Sequence, residues 1–305
     1  MEATEADPRG YQLTGQRYGK AGIRLVHVDR GGPADQLVER TVATALTGAL
    51  AETYLSGDNA AVLPTDTQKN TVYALARDHG LLPVEEFALR LADHFATDQP
   101  TAPLLSRATV EIDQHRWERI GPRPHSFTRQ TSWTRTVRAS RQGALASVEA
   151  GLRDLVLLNT TGSEFAGFPR DRYTTLAETS DRMLATAVDA VWTYSRPTDW
   201  DAAFELVHAA LVAAFADTYS QSLQQTLYAM ATSVLDAVPE VARVQLRLPN
   251  RHHFRTDLAP FGLDNPGEVY LATDRPYGLI EGTVSRADAA MTFGWRPAPE
   301  GRDDR

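Results

Sequence analysis

Two short stretches of this chain occur twice, in the same order. Ala51-Glu52-Thr53-Tyr54 is matched by Ala216-Asp217-Thr218-Tyr219, and Thr71-Val72-Tyr73-Ala74-Leu75-Ala76 by Thr226-Leu227-Tyr228-Ala229-Met230-Ala231. An internal repeat constrains the fold more than any single motif, because each copy must form one supersecondary unit and bury its face on the other. The flanking periodicities agree with that reading. Ile23 to Asp29 and Leu37 to Tyr54 read as strands, followed by a turn at Gly57-Asp58-Asn59. Pro64-Thr65-Asp66-Thr67 reads as a helix start, with Thr or Asp capping the free N–H groups, and Gly80 ends that helix. Pro83 opens another helix, with Val84, Phe87, Leu91 and Phe95 on one apolar stripe. Ala108 to Trp117 and Phe127 to Arg138 then read as strands.

The second part repeats the pattern. Asp154 to Thr160 and Met183 to Tyr194 read as strands. Ala203 to Ala216 reads as a helix with Phe204, Val207, Leu211 and Phe215 on one face, and Leu223, Leu227, Met230 and Val234 make a second stripe before Pro239. Val241 to Leu248 and Glu268 to Ala272 are strands again. Each part is thus ββααββ, which predicts an α+β protein with antiparallel sheets. The units are expected over 18-150 and 151-285, between a mobile arm at 1-17 and a mobile tail at 286-305. The repeats differ in spacing: seventeen positions separate Tyr54 from Thr71, and seven separate Tyr219 from Thr226. The first copy therefore carries an insertion, Gly57 to Pro64, beside a helix N-terminus, where a site can form. The strand from Ser126 to Arg138 is polar on both faces. A polar face that helices leave uncovered predicts a wide, wet barrel built by several subunits.

Composition removes several function classes. The 305 residues include no cysteine, which excludes disulfides, thiolate nucleophiles, Cys-ligated zinc and iron–sulfur clusters. A net charge of −8 argues against nucleic acid as a partner, and no 18-residue apolar run argues against a membrane span. The polar residues 1–18 lack the apolar stretch of a secretory signal, so a bacterial cytoplasm is the expected compartment. Of 31 basic residues only two are lysines, Lys20 and Lys69. Codon bias toward arginine accounts for most of that. Such bias would still spare a lysine whose amine must release a proton, which arginine cannot readily do.

Four segments carry more pattern than a scaffold needs. Tyr18-Gly19-Lys20 reads locally as a solvated lysine beside a turn, and Gly57 to Thr67 as a turn and cap or an anion site. In Leu248-Pro249-Asn250-Arg251-His252-His253-Phe254, a metal pair is disfavoured because neighbours on a strand face opposite ways; one histidine should enter a site and the other be structural. Phe165 to Leu176 is an aromatic, turn-rich loop followed by Arg182, which locally reads as ordinary loop packing with a surface arginine and would also suit a flat anionic ring. No Walker element, HExxH or Ser-His-Asp order is present.

Together these segments resemble the urate oxidase (uricase) family over roughly residues 18 to 285. The resemblance rests on YGK at 18–20, GDN…PTDTQKNTVYALA at 57–76, TTGSEFAGFPRDRYTTL…R at 160–182, SLQQTLY at 222–228, LPNRHHF at 248–254 and DRPYGLIEGTV at 274–284. Asn159 stands where the family usually has lysine. The resemblance implies the tunnelling fold (T-fold), two ββααββ units per chain assembled as a homotetramer around a barrel, and oxidation of urate by O2 without a cofactor or metal. It implies that Lys20, Thr65 and His252 form a catalytic relay and that Phe165 stacks on the purine. Arg182 and Gln224 would grip the ring edges, and Asn250, with Thr65, would face the O2 and water position. Asp66 and Leu223 would contact the ligand through backbone N–H, and Leu176 would be an apolar wall. It also implies a site between subunits, with Lys20 and Thr65 from a neighbour of the chain supplying Phe165, Arg182 and Gln224. The rivals are a pterin-handling T-fold enzyme, whose zinc-dependent form needs absent cysteines, and a non-catalytic purine binder, which would be expected to lose Lys20 or Thr65.

Overall fold

Period-two alternation along eight strands builds one continuous antiparallel sheet, seen in a computed structural model described for residues 9–297. In the first half, β1 (Ile23–Asp29) and β2 (Gln36–Gly48) form a hairpin. Three helices follow, α1 (Ala51–Leu55), α2 (Thr65–His79) and α3 (Val84–Thr97). The half closes with β3 (Leu105–His115), the side hairpin β4 (Trp117–Arg119) and β5 (Phe127–Arg129), and β6 (Thr134–Gln142). The second half runs β7 (Leu145–Asn159), β8 (Leu184–Tyr194), α4 (Trp200–Asp217), α5 (Leu223–Ala237) and β9 (Val241–Pro249). It continues with a ribbon of β10 (His252–Arg255) and β11 (Tyr270–Thr273), then β12 (Leu279–Ser285) and β13 (Phe293–Gly294). The sheet order is β1-β2-β3-β6-β7-β8-β9-β12, so each half is ββααββ and β6–β7 joins the halves.

One face of the main sheet is largely apolar and lies under the helices: Val42 and Leu46, Val110 and Ile112, Val148 and Leu152, Val244 and Leu246. These meet the stripes of α3 (Phe87, Leu91, Phe95), α4 (Phe204, Val207, Leu211) and α5 (Leu227, Met230, Val234). The two halves also share a buried charge cluster. Arg135 of β6 bonds Glu85 of α3 and Asp201 of α4, each at 2.7 Å, with its guanidinium 4.2 Å from the Phe204 ring centre. The opposite face carries cross-strand ion pairs, among them Arg153–Asp113 at 2.6 Å, Arg243–Glu149 at 3.0 Å and Arg247–Asp189 at 3.1 Å. This is the polar uncovered face, but its source differs from the expectation. The stretch from Ser126 breaks into β5 and β6, and β6 alternates, burying Arg135, Val137, Ala139 and Arg141.

Other expectations shift for physical reasons. The second strand stops at Gly48 rather than Tyr54, because Ala51–Leu55 turn into α1; Gly48 itself must be glycine, since a Cβ there would lie 2.1 Å from the Leu104 carbonyl oxygen. Neither Thr nor Asp caps α2; its N-cap is Pro64, with no side-chain cap at all. Strand Glu268 to Ala272 belongs to the β10–β11 ribbon, and β12 is the last strand of the main sheet. The repeated motifs do not mark equivalent helices. Thr71 to Ala76 lies in α2, the first long helix of its half, and Thr226 to Ala231 in α5, the second of its half. The element string is duplicated; the matching hexapeptides reflect helices of similar amphipathic pattern. β7 runs unbroken across position 150. Within the expected tail, Phe293 and Trp295 are buried and β13 pairs with the start of β7, since two large aromatic rings find apolar cover there. Residues 1–8 of the expected arm and 298–305 of the expected tail lie outside the described residues.

Candidate active site

The loop after β7 folds back on itself. Phe165 and Thr179 exchange backbone hydrogen bonds of 2.9 and 3.0 Å, and the Arg182 N–H donates to the Ser163 carbonyl at 2.8 Å. The same loop is tied to the α4–α5 connection, where Glu164 N–H donates to Ser220 O at 2.8 Å and Ser220 N–H to Gly162 O at 3.0 Å. These bonds carry Phe165 and Arg182 to the start of α5. There Ser222 caps the helix by accepting from Gln225 N–H, and Leu223 and Gln224 occupy the first two helical positions. From the other side, Asn250 is held by its N–H to Gly278 O at 2.8 Å and a bridge to Thr186, and Arg251 N–H donates to Ala185 O at 2.7 Å.

The result is a cavity of about 400 Å³ bordered by Phe165, Leu176, Arg182, Leu223, Gln224, Asn250 and His252. All seven were singled out from sequence. Phe168 stacks on Phe165 with centroids 5.0 Å apart, stiffening the aromatic wall. The Arg182 guanidinium lies 5.1 Å from the Phe165 ring centre. Its Nε reaches Ser163 Oγ at 3.4 Å, and among the described residues no carboxylate pairs with it. Burial lowers its pKa, as expected for a cation taken from water without a counter-charge. Sequence reasoning missed Thr179, Met183 and Ile280, which also border the cavity. Nothing local marks them, because they arrive through loop closure and sheet register. The histidine expectation needs correcting: His253 borders the cavity alongside His252. β10 belongs to a two-stranded ribbon at the cavity rim, so both of its faces can border the open space. His253 Nδ1 sits 3.1 Å from the Arg251 carbonyl, and His252 stacks on Phe254.

Lys20, Thr65 and Asp66 are elsewhere. The Lys20 segment lies on β2, where Lys20 O accepts from Thr44 N–H at 2.8 Å and Tyr18 pairs with Leu46. Gly19 permits this approach, since a Cβ there would sit 1.8 Å from the Thr44 carbonyl oxygen. Thr65 and Asp66 open α2, whose uncapped first-turn N–H groups favour an anion. Asp66 bonds Lys69 Nζ at 2.5 Å and Asn70 Nδ2 at 3.1 Å. The bond to Lys69, with the charges of Lys69 and Lys20, holds its carboxyl below the usual range. β2 and β8 are four strand spacings apart, about 19 Å along the sheet. One chain therefore carries two separate clusters: an aromatic, amide and guanidinium cavity, and a lysine beside a helix N-terminus. Among the described residues no group of three or more acids and histidines is arranged to hold a metal. No described helix is long and apolar enough to cross a membrane.

An aromatic wall, an unpaired guanidinium, two side-chain amides and a histidine suit a planar, anionic, nitrogen-rich ring. The family model for uricase matches residues 16–140 and 148–281. The chain belongs to the uricase family. It is 45% identical to the uricase of Arthrobacter globiformis over 289 residues, 94% of either chain, and 37% identical to that of Danio rerio over 284 residues, 90% of this chain and 94% of the other. The crystal structure of the Arthrobacter globiformis uricase superposes with a TM-score of 0.87 at 44% identity, covering 94% of this chain and 97% of that one. A Bacillus sp. TB-90 urate oxidase shares the fold alone, at TM-score 0.74 and 20% identity, over 89% of this chain and 99% of that one. The fold of the uricase family, the T-fold, is thus the fold of this chain. Where this uricase-family chain has Asn159, the side-chain amide donates to the Phe215 carbonyl at 3.0 Å, tying the end of β7 to the last turn of α4.

Proposed function

We propose that this chain is a urate oxidase: urate, O2 and water are converted to 5-hydroxyisourate and hydrogen peroxide. The observation that carries this reading is Arg182, a half-buried cation without a carboxylate partner, lying over Phe165 beside the Gln224 amide. Urate near neutral pH is a planar anion. Arg182 supplies two charge-assisted hydrogen bonds to one edge, and Gln224 one donor and one acceptor to the other. Phe165 stacks on the ring, and Leu176 and Leu223 close the apolar side.

Dioxygen is a triplet and reacts slowly with closed-shell molecules. Urate that has lost a second proton is electron-rich enough to pass one electron to it. The protein's work is to remove that proton and hold the dianion. Thr65, poised by Lys20, is assigned the proton transfer, with Asp66 contributing its backbone N–H at the helix start. Asn250 and Thr65 hold O2 and then water above the ring. His252 moves protons to the departing peroxide and from the attacking water. No metal or cofactor is invoked for any step.

Lys20 and Thr65 do not border the cavity, and the Lys20 segment lies on β2, four strands of the sheet away from β8, so the complete site joins two copies of the chain. Among the described residues β1 and β12, the two ends of the sheet order, each pair with one strand, which leaves edges for a second copy. A homotetramer around a barrel, acting in the cytoplasm, fits this arrangement and the ion-paired uncovered face. The test is direct: the purified protein in aerobic buffer should remove the near-ultraviolet absorbance of urate and form peroxide in equal amount. Intact absorbance after prolonged incubation overturns the assignment.

A further inference from the structure

Lys20 and Thr65 reach their places on separate segments. The insertion Gly57 to Pro64 and all of β1 and β2 lie between them in sequence. What joins them is buried. Lys20 N–H donates to Thr44 Oγ1 at 3.1 Å. That hydroxyl has one proton, and its shorter contact is to Gln68 Oε1 at 2.7 Å, against 3.4 Å to the Lys20 carbonyl. With the oxygen of the Gln68 amide occupied, its nitrogen donates to the Leu63 carbonyl at 3.2 Å, two residues before Thr65. The chain of donors runs one way: Lys20 N–H, Thr44 O–H, Gln68 amide, Leu63 carbonyl. Gln68 is wholly buried and Thr44 nearly so. A parallel tie runs from Leu63 N–H to Tyr18 Oη at 2.8 Å, so the residues flanking Lys20 and Thr65 are clamped twice.

We infer that Thr44 and Gln68 are positioning residues that set the Lys20 segment against the Thr65 helix start. This deepens the proposed function, on which it rests. Neither side chain reaches the urate cavity, which Phe165, Arg182, Gln224 and Asn250 line without them. Loss of the bridge should therefore separate turnover from binding. A buried amide in the first turn of α2 has another consequence: a carboxylate in its place would lose the donor to Leu63 and bury a charge, so Gln68→Glu should be among the most damaging changes here.

The experiment compares Thr44→Val, which keeps the shape and removes the hydroxyl, with Thr44→Ser, which keeps the hydroxyl. Thr193→Val is the matched control; it deletes a buried hydroxyl on β8 that accepts from Arg243 at 3.1 Å, away from both clusters. Urate saturation curves are taken well below the melting temperature and normalised to folded protein. Misplacement of catalytic groups by about 1 Å can cost about 10²-fold. Thr44→Val should lower kcat at least about tenfold with a smaller rise in KM, since Asp66 at the same helix start also meets the ligand, Thr44→Ser should restore kcat to within about threefold, and Thr193→Val should keep it. Parental kcat in folded Thr44→Val, or an equal loss in Thr193→Val, overturns the inference. If Thr44→Val does not fold, Gln68→Met carries the same expectation, and parental kcat there overturns it equally. A parent that leaves urate intact would instead refute the functional assignment itself.

Discussion

Replacing Arg182 by glutamine isolates the interaction on which the substrate assignment depends. In the fold, Arg182 is half-buried over Phe165, touches only the Ser163 hydroxyl at its Nε, and has no carboxylate to balance it among the described residues. Against a planar anion its fork makes two charge-assisted hydrogen bonds, each worth about 1.5–3 kcal/mol. Glutamine can keep one neutral bond worth about 1 kcal/mol. The difference is about 2–5 kcal/mol, which at about 1.4 kcal/mol per decade raises KM by about 30-fold or more. Because the clamp holds the ring before and during reaction, kcat should stay within about threefold. Stability should move the other way. Glutamine at 182 removes a charge whose desolvation no carboxylate offsets among the described residues, so the melting temperature should hold or rise. The assay is a urate saturation curve followed by absorbance loss, with a thermal melt of the same preparation. An unchanged KM refutes the clamp. A large fall in melting temperature with unchanged KM would make Arg182 a structural residue instead.

The other predictions concern the second cluster and the core. Lys20→Met should reduce kcat about 10²-fold or more while a non-reactive urate analogue still binds within about threefold; near-parental turnover refutes the proton relay. Burial first, and then the Arg116 charge, lower the pKa of His208 below its ordinary 6.5, against the opposing pull of Glu205. His208 stacks on Trp133 at 5.2 Å, with Arg116 4.5 Å from the same ring. The folded protein thus prefers neutral His208, so its contribution is full above pH 6.5 and declines as pH falls below it, where the unfolded chain binds the proton first. His208→Gln should flatten the loss of urea resistance between about pH 7.5 and about pH 5.5 relative to the parent, and equal losses in both proteins refute it.

Much of this protein is legible in its residues one stretch at a time. The stripes of Phe87, Leu91 and Phe95 and of Leu227, Met230 and Val234 specify helices with one buried face, and those helices form. The motif order points to the family, and seven of the residues bordering the urate-side cavity can be named before any coordinates. Less was visible where local pattern and tertiary partner compete. The strand read through to Tyr54 ends at Gly48, and Ala51–Leu55 form a helix instead. Arg135 reads as a solvent-facing residue and is buried, because Glu85 and Asp201, each more than forty positions away, neutralise it.

The chain's own residue order determines its element string, its lack of thiol chemistry and the chemical kind of its site, since periodicity, composition and side-chain functional groups are local properties. The tertiary structure alone decided four further matters. It placed the similar hexapeptides on non-equivalent helices, brought both histidines to the cavity rim, and kept Lys20 and Thr65 away from the cavity that Arg182 borders. It also buried the Thr44–Gln68 bridge that ties Lys20 to Thr65. Each of these follows from strand order and register, which set neighbours by hydrogen-bonded pairing across the sheet and not by distance along the chain.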